Sequence, residues 1–303
     1  MPTQVDVDQG RMVAQHLYHT FRSVGIHGRV DDMPEDELPD GVEKGSLEHR
    51  LFITLTVAID YMRDSNQVWD SARQTFADNN TRYLFDPGAI HEAGLTQVRR
   101  DLLQHGLALR PDRDARTWHT IGTTLHREWQ GDPRLFLKDC GWDAPEILAR
   151  LKVDSHLENG ACKADFPYLR GDKIGPLWLR MLRDNVGITE LQHLEEVPIP
   201  VDRHIARATL TTGVVKGQYN GPLATIYEDI RQAWFTSVKG LKAGDRPMIA
   251  LDVDEPLWHL SKYGCTDRTE QGICRHHDQC EAREFCTPGR VVVGKKNHVE
   301  LHT

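Results

Sequence analysis

Four of the six cysteines in this 303-residue chain, Cys265, Cys274, Cys280 and Cys286, fall within 22 residues near the carboxyl end. No other feature constrains the fold as strongly, because four thiols so close in sequence must bond to one another, bind a metal or pack side by side. The amino terminus, MPTQVDVDQG, has neither the basic start nor the apolar core of a secretory signal, and no stretch approaches the ~20 apolar residues of a membrane span. The expected location is therefore the reducing cytoplasm or nucleoid, or the nucleus of a eukaryote. There a cysteine cluster reads as a metal site before it reads as disulfides. The spacing C-x8-C-x5-C-x5-C is open to a [4Fe–4S] cluster or to tetrahedral zinc. The tight C-x2-4-C pair of zinc knuckles is missing, although His276 and His277 can substitute for a thiolate. Iron–sulfur stands ahead of zinc, with ordinary buried thiols third.

The rest of the chain is written mainly in helical periodicity. Val13, Leu17 and Phe21 repeat every four residues, as do Leu51, Leu55 and Ile59 followed by Met62; Leu223, Tyr227, Ile230 and Trp234 step by four, three and four. Weaker helical patterns cover roughly residues 67–77, 94–106, 114–129, 144–153, 176–184 and 203–212, and Asp254, Glu255 and Pro256 open another that ends at Gly264. Strand alternation is confined to Val291–Val293, and one strand makes no sheet. The expected class is all-α.

The formal net charge of −8 argues at first against a polyanionic partner. Residues 31–43, DDMPEDELPDGVE, hold seven acids, two prolines and no base, so the remainder carries only −1. Such a run repels itself and is expected to be a solvated linker. A nearly neutral body can present a local basic face.

Two further segments stand out. In LRGDKIGPLWLRML, a turn from Gly171 to Gly175 feeds a helix with Pro176 at its first position. Amides left unpaired at a helix amino terminus form an anion site, although a tight corner between helices is at least as good a reading of the glycines alone. In VPIPVDRHIARATL, two prolines impose an extended approach and Asp202 opens a helix carrying Ile205, Ala206 and Leu210. An aspartate there is most often a cap worth about 1 kcal/mol.

Taken in order, GDKIGPLW, then VPIPVDRHIAR, then LWHLSKYGC followed by CRHHDQCEAREFC, the chain resembles the helix-hairpin-helix DNA glycosylases of the endonuclease III type. The resemblance spans about residues 48–286. It implies a two-lobed fold: a first helix (residues 1–30) packing on the cluster lobe, an acidic linker (31–44), a six-helix barrel lobe with the hairpin (45–190), and a lobe holding the aspartate helix and the cysteine cluster (191–303), with a pocket between the lobes. It also implies a monomer that excises a damaged, modified or mispaired base from double-stranded DNA. The hairpin Gly171, Lys173 and Gly175 would grip a phosphate, and Arg203 would lie at the DNA. Asp202 would face the sugar of a flipped base, stabilising the developing cation and positioning water.

Members that also cut the strand carry a lysine two residues after the second hairpin glycine. Leu177 stands there, followed by Trp178, so a water-using, monofunctional glycosylase is favoured. A glycosylase and lyase working through Lys173 is the first rival, and a non-catalytic metal-containing DNA-binding protein the second. The cysteine gaps are longer than the family's C-x6-C-x2-C-x5-C, while WHLSKYGC and the final C-x5-C are kept. The resemblance assigns the metal the task of folding a loop whose Lys262, Arg268, Arg275 and Arg283 turn to DNA. By position Arg63 or Asn66 would fill the gap left by the flipped base, and Asp60 and Tyr61 would wall the pocket. Trp118 and Trp178 are equally readable as core.

Overall fold

Most helices in this chain start on a short polar word, often closed by proline. The computed structural model describes residues 3–30, 33–61, 63–156, 162–270, 272–294 and 296–303; Asp31, Asp32, Met62 and the side chain of Cys162 lie outside them. Two units are resolved, one built from residues 1–32 and 197–303, the other from 33–196. No helix among the described residues is long and apolar enough to cross a membrane.

The first unit begins with strand β1 (Thr3–Val5) and helix α1 (Val7–Ser23). Asp6 caps α1 by accepting the Gln9 amide, and Val13, Ala14, Leu17 and Phe21 form its buried stripe.

The second unit holds α2 (Leu47–Val57), α3 (Ser65–Ala77), α4 (Pro87–Asp101), α5 (Pro111–Trp129), α6 (Pro133–Asp139) and α7 (Ala144–Arg150), then a hairpin of β2 (Asp154–His156) and β3 (Cys162–Ala164), then α8 (Ile174–Met181). Ser46, Asp64, Asp86, Asp132 and Asp143 cap α2, α3, α4, α6 and α7 through their side chains, and Pro87, Pro111 and Pro133 open their helices. Helix α2 is buried continuously from Leu51 to Val57, so it runs through the core rather than along the surface. Helix α4 starts seven residues earlier than its periodicity implies and kinks at Gly94, whose φ is 73°. That kink scrambles the stripe. Trp118 and Trp178 are both core: their indole N–H groups donate to the Leu84 carbonyl at 2.6 Å and to Thr54 Oγ1 at 2.9 Å.

Returning to the first unit, the chain forms α9 (Arg203–Thr211), β4 (Val215–Pro222), α10 (Tyr227–Ser237), a small hairpin of β5 (Lys242–Ala243) and β6 (Arg246–Pro247), α11 (Asp254–His259), β7 (Arg290–Val293) and β8 (His298–His302). The expectation that Val291–Val293 stands alone is corrected. It belongs to a four-stranded antiparallel sheet in the order β1-β4-β8-β7. Strand β4, VKGQYNGP, carries glycines, asparagine and proline, so its extended form is imposed by pairing with both neighbours rather than by its own propensity. The chain is nevertheless largely helical.

The acidic segment is also corrected. Its described part is no solvated linker but belongs to the second unit. Glu35 is 2% exposed and accepts from Arg180 Nη2 at 2.6 Å, while Arg180 Nη1 donates to Asn185 Oδ1 at 3.3 Å and Asn185 Nδ2 to Asp36 Oδ1 at 2.6 Å. A guanidinium inside a helical core requires an anion, and the acidic run supplies it. Breaking such a pair leaves a buried charge uncompensated, typically at a cost of about 3–5 kcal/mol. Glu35→Ala should therefore lower the urea unfolding free energy by about 3 kcal/mol or more. Glu37→Ala, at a side chain 75% exposed beside Arg73, should cost under about 1 kcal/mol.

Candidate functional site

Helix α11 does not stop cleanly but widens into a π turn over Leu260–Gly264, closed by a Cys265 amide that donates to the Leu260 carbonyl at 2.7 Å. This turn delivers Cys265 to a small cavity that it lines together with Cys274, Cys280, Cys286, Leu260 and Thr211. Each sulfur has a donor. Thr211 Oγ1 reaches Cys265 Sγ at 3.3 Å, the His276 amide reaches Cys274 Sγ at 3.4 Å, the Ala282 amide serves Cys280, and Arg268 Nη1 reaches Cys286 Sγ at 3.7 Å. Cys274 Sγ in turn donates to the Gly264 carbonyl at 3.7 Å. Burial meanwhile pushes the Cys265 thiol up to about 12 and the Cys280 thiol up to about 11. A metal entering here displaces protons.

Among the described residues the group of His, Cys, Asp or Glu side chains whose ligand atoms all lie within 4.8 Å of one another is His27, Cys280 and Glu281, so one of the four cysteines also belongs to a mixed ligand set. His277 borders the cavity, while the His276 ring accepts from Arg275 Nε instead.

His27 escaped sequence reasoning. It lies in the turn after α1, where the left-handed backbone (φ 52°) and a Glu281 carboxylate accepting its amide at 3.1 Å hold it against the cysteine loop. Its Nε2 is buried without a hydrogen-bond partner among the described residues, and a Cβ on Gly264 would sit 1.9 Å from it. Only glycine fits there. No local pattern marks a lone histidine brought in from the other end of the chain.

Helix α9 joins this cavity to Asp202. Its last residue, Thr211, bonds Cys265 through its hydroxyl and accepts the Thr287 amide through its carbonyl at 2.9 Å. At its start Asp202 Oδ1 accepts the His204 and Ile205 amides at 2.7 and 3.0 Å, which fixes the carboxylate at the positive end of the helix. His204 lies against Ser261 Oγ at 3.2 Å, and burial pulls its imidazole down to about 4.

The basic residues divide. Arg203 is half-buried in the first turn of α9, and Arg275 and Arg283 are exposed. Arg207 is committed to Asp267 and to the Val293 carbonyl. Arg268, expected to turn to DNA, is buried and donates to the Thr287 carbonyl at 2.5 Å; the loop's own carbonyls and sulfur need its charge.

In the second unit the glycine turn lies before α8, which has no side-chain cap. Gly175 is required by close approach, since a Cβ would meet the Leu169 carbonyl at 2.7 Å and Leu148 at 2.9 Å. Only one helical turn, closed from Arg170 to Phe166, precedes the hairpin. Gly171 and Lys173 lie in this turn, with Lys173 in electrostatic reach of the buried Asp60 carboxyl; burial pushes that carboxyl up, and Lys173 and the Ser65 hydroxyl oppose the shift. Arg63 donates to the Leu107 carbonyl at 2.6 Å, so it braces the loop before α5. Asn66 lies in the first turn of α3, where its amide donates to the Asp64 cap. Leu177 and Trp178 are buried.

Because His204 is neutral in the fold down to about pH 4 while an ordinary histidine takes up a proton near 6.5, the unfolded chain binds more protons between those values. Stability should fall as pH drops through that window. His49, also pulled down to about 4 by burial, adds a slope of the same sign. His204→Gln should flatten the pH dependence of the melting temperature between pH 6.5 and 4 relative to the native chain, and an unchanged slope would contradict the assignment.

No protein-family model matches the chain, and no curated protein matches it in sequence.

Proposed function

We propose that the chain is a monofunctional DNA glycosylase of the helix-hairpin-helix class that hydrolyses the bond between deoxyribose and a modified or mispaired base. The observation that carries this reading is α9, one short helix with Asp202 fixed at its amino end and the four-cysteine cavity bonded to its carboxyl end. An acid held by two backbone amides cannot swing away as charge develops nearby. The cysteine loop bonded to the other end of the same helix supports the reading, since in this class such a loop is expected to carry basic residues toward DNA.

In this mechanism the bond from C1′ to the base nitrogen breaks with its electrons leaving on the base, and positive charge builds on the sugar. The Asp202 carboxylate stabilises that charge and orients or deprotonates water. The water oxygen bonds C1′ and its proton leaves, ultimately to the departing base. Backbone amides of the hairpin between Gly171 and Gly175 would hold a phosphate, with Arg203 contributing charge at α9. Cys265, Cys274, Cys280 and Cys286, which line one cavity, would hold a [4Fe–4S] group, with zinc as the alternative. That group supplies a covalent cross-link for the loop and takes no part in the hydrolysis. Burial of Leu177 and the carboxyl partner beside Lys173 favour hydrolysis over strand cutting through a Schiff base.

Base release from duplexes carrying a panel of lesions tests the reading. The native chain should release at least one base and leave an abasic site. Asp202→Asn should lower the single-turnover rate at least a hundredfold, on the order of what removal of an acid–base or charge-stabilising group costs. An Asp202→Asn protein as active as the native chain would refute the mechanism, and borohydride trapping on abasic DNA would assign the lyase rival instead. Binding to DNA should weaken steeply with salt.

A further inference from the structure

A second cavity, of about 610 Å³, lies wholly within the other unit, between α5 and the turn before α8. Its volume falls inside the range of about 300–1,000 Å³ typical of small-ligand sites. Tyr61 and Tyr168 form one wall with ring centroids 5.6 Å apart, and Arg113, Arg116, Thr117 and Thr120 come from one side of α5. Tyr61 is 36% exposed, so an aromatic face is presented rather than packed away. Tyr168 adopts a left-handed backbone (φ 65°), an uncommon conformation for a bulky residue, retained here at the ring that faces the cavity.

The charge is as specific as the shape. Arg110 lies over the Tyr61 ring at 5.5 Å and Arg113 over the Tyr168 ring at 5.9 Å. Arg113 and Arg116 are exposed and form no ion pair among the described residues. Among the described residues the one acid lining it, Asp112, is paired with Arg99 at 2.6 Å. Adjacent aromatic rings together with uncompensated guanidinium groups make a site for a ligand with a flat, stackable body and an anionic end.

We propose that this cavity binds one unpaired nucleotide, its base stacked on the Tyr61–Tyr168 wall and its phosphate between Arg113 and Arg116. Stacking on tyrosine is tolerant of base identity, and guanidinium groups recognise phosphate oxygens in pairs. The site uses neither Asp202 nor the cysteines, but Tyr61 is a residue the glycosylase reading also places at a base pocket; nucleotide binding that persists in a chain without base-release activity would separate the two.

Binding of the full chain to deoxythymidine monophosphate, to a short single-stranded oligothymidylate and to inorganic phosphate, followed by calorimetry, tests the proposal. At least one of the two nucleotide probes should bind, and at least tenfold more tightly than phosphate alone. Tyr168→Ala should weaken it about tenfold or more, in line with the loss of one base–aromatic stack, while Tyr168→Phe retains it. Arg113→Gln combined with Arg116→Gln, at exposed positions that leave the fold intact, should weaken it similarly and reduce its salt dependence. Binding of the oligonucleotide alone places the site on a DNA strand, and binding of the mononucleotide as well makes it a free-nucleotide site. Equal binding of phosphate and nucleotide, or no loss in the arginine double variant, would overturn the proposal.

Discussion

The loop from Cys265 to Cys286 has almost nothing apolar with which to hold itself. Between those two cysteines its apolar side chains other than the thiols are Ile273, which is 48% exposed, Phe285, which leans on His16 at 5.2 Å, and Ala282, which alone is buried. Burial of one methyl group is worth about 0.8 kcal/mol, far less than the entropy of ordering twenty residues. The loop is tied instead by polar contacts: the buried Arg268 serves its carbonyls, the Glu281 carboxylate accepts the His27 amide, Asp267 accepts from Arg207, and backbone bonds join Arg268 to Val291, Gly289 to Gly272 and Thr287 to the end of α9. A structural metal bound by the cysteines would add about 10–16 kcal/mol to these contacts.

The same helix end then sets the geometry of Asp202. Helix α9 spans only nine residues, too few to be stable alone. It is oriented by its buried face, Ile205, Ala206, Ala208, Thr209 and Leu210, by the Trp234 indole that donates to Thr209 Oγ1 at 2.9 Å, and by its ends, Thr211 on Cys265 at one and the Asp202 cap at the other. In the proposed mechanism cap and catalyst coincide in one side chain, and the cap accounts by itself for an aspartate at the mouth of this helix.

Much of this was legible in the sequence where the signal is local. The stripe of Val13, Leu17 and Phe21, the capping position of Asp202 and the closing of α11 toward Gly264 follow from periodicity and helix-end chemistry alone. What escaped was non-local. Strand β4 has poor strand residues and is made extended by partners from both ends of the chain. Helix α6, opened by Asp132 and Pro133, is too short to show a period. The acidic run looked self-repelling because the cation it serves, Arg180, is distant in sequence. Arg268 looked like one more basic residue on a loop, whereas that loop has carbonyls that only a buried guanidinium can reach.

The four thiols stand at the centre of both the loop's order and the proposed function. The most direct test is chemical analysis of the full chain purified without oxygen, for iron, acid-labile sulfide and zinc, together with its visible spectrum. The account predicts iron and sulfide in equal amounts with the broad absorption of a thiolate-bound cluster, lost together with the ordered structure of the loop when iron is chelated. A colourless chain free of iron whose loop is just as well ordered would contradict it.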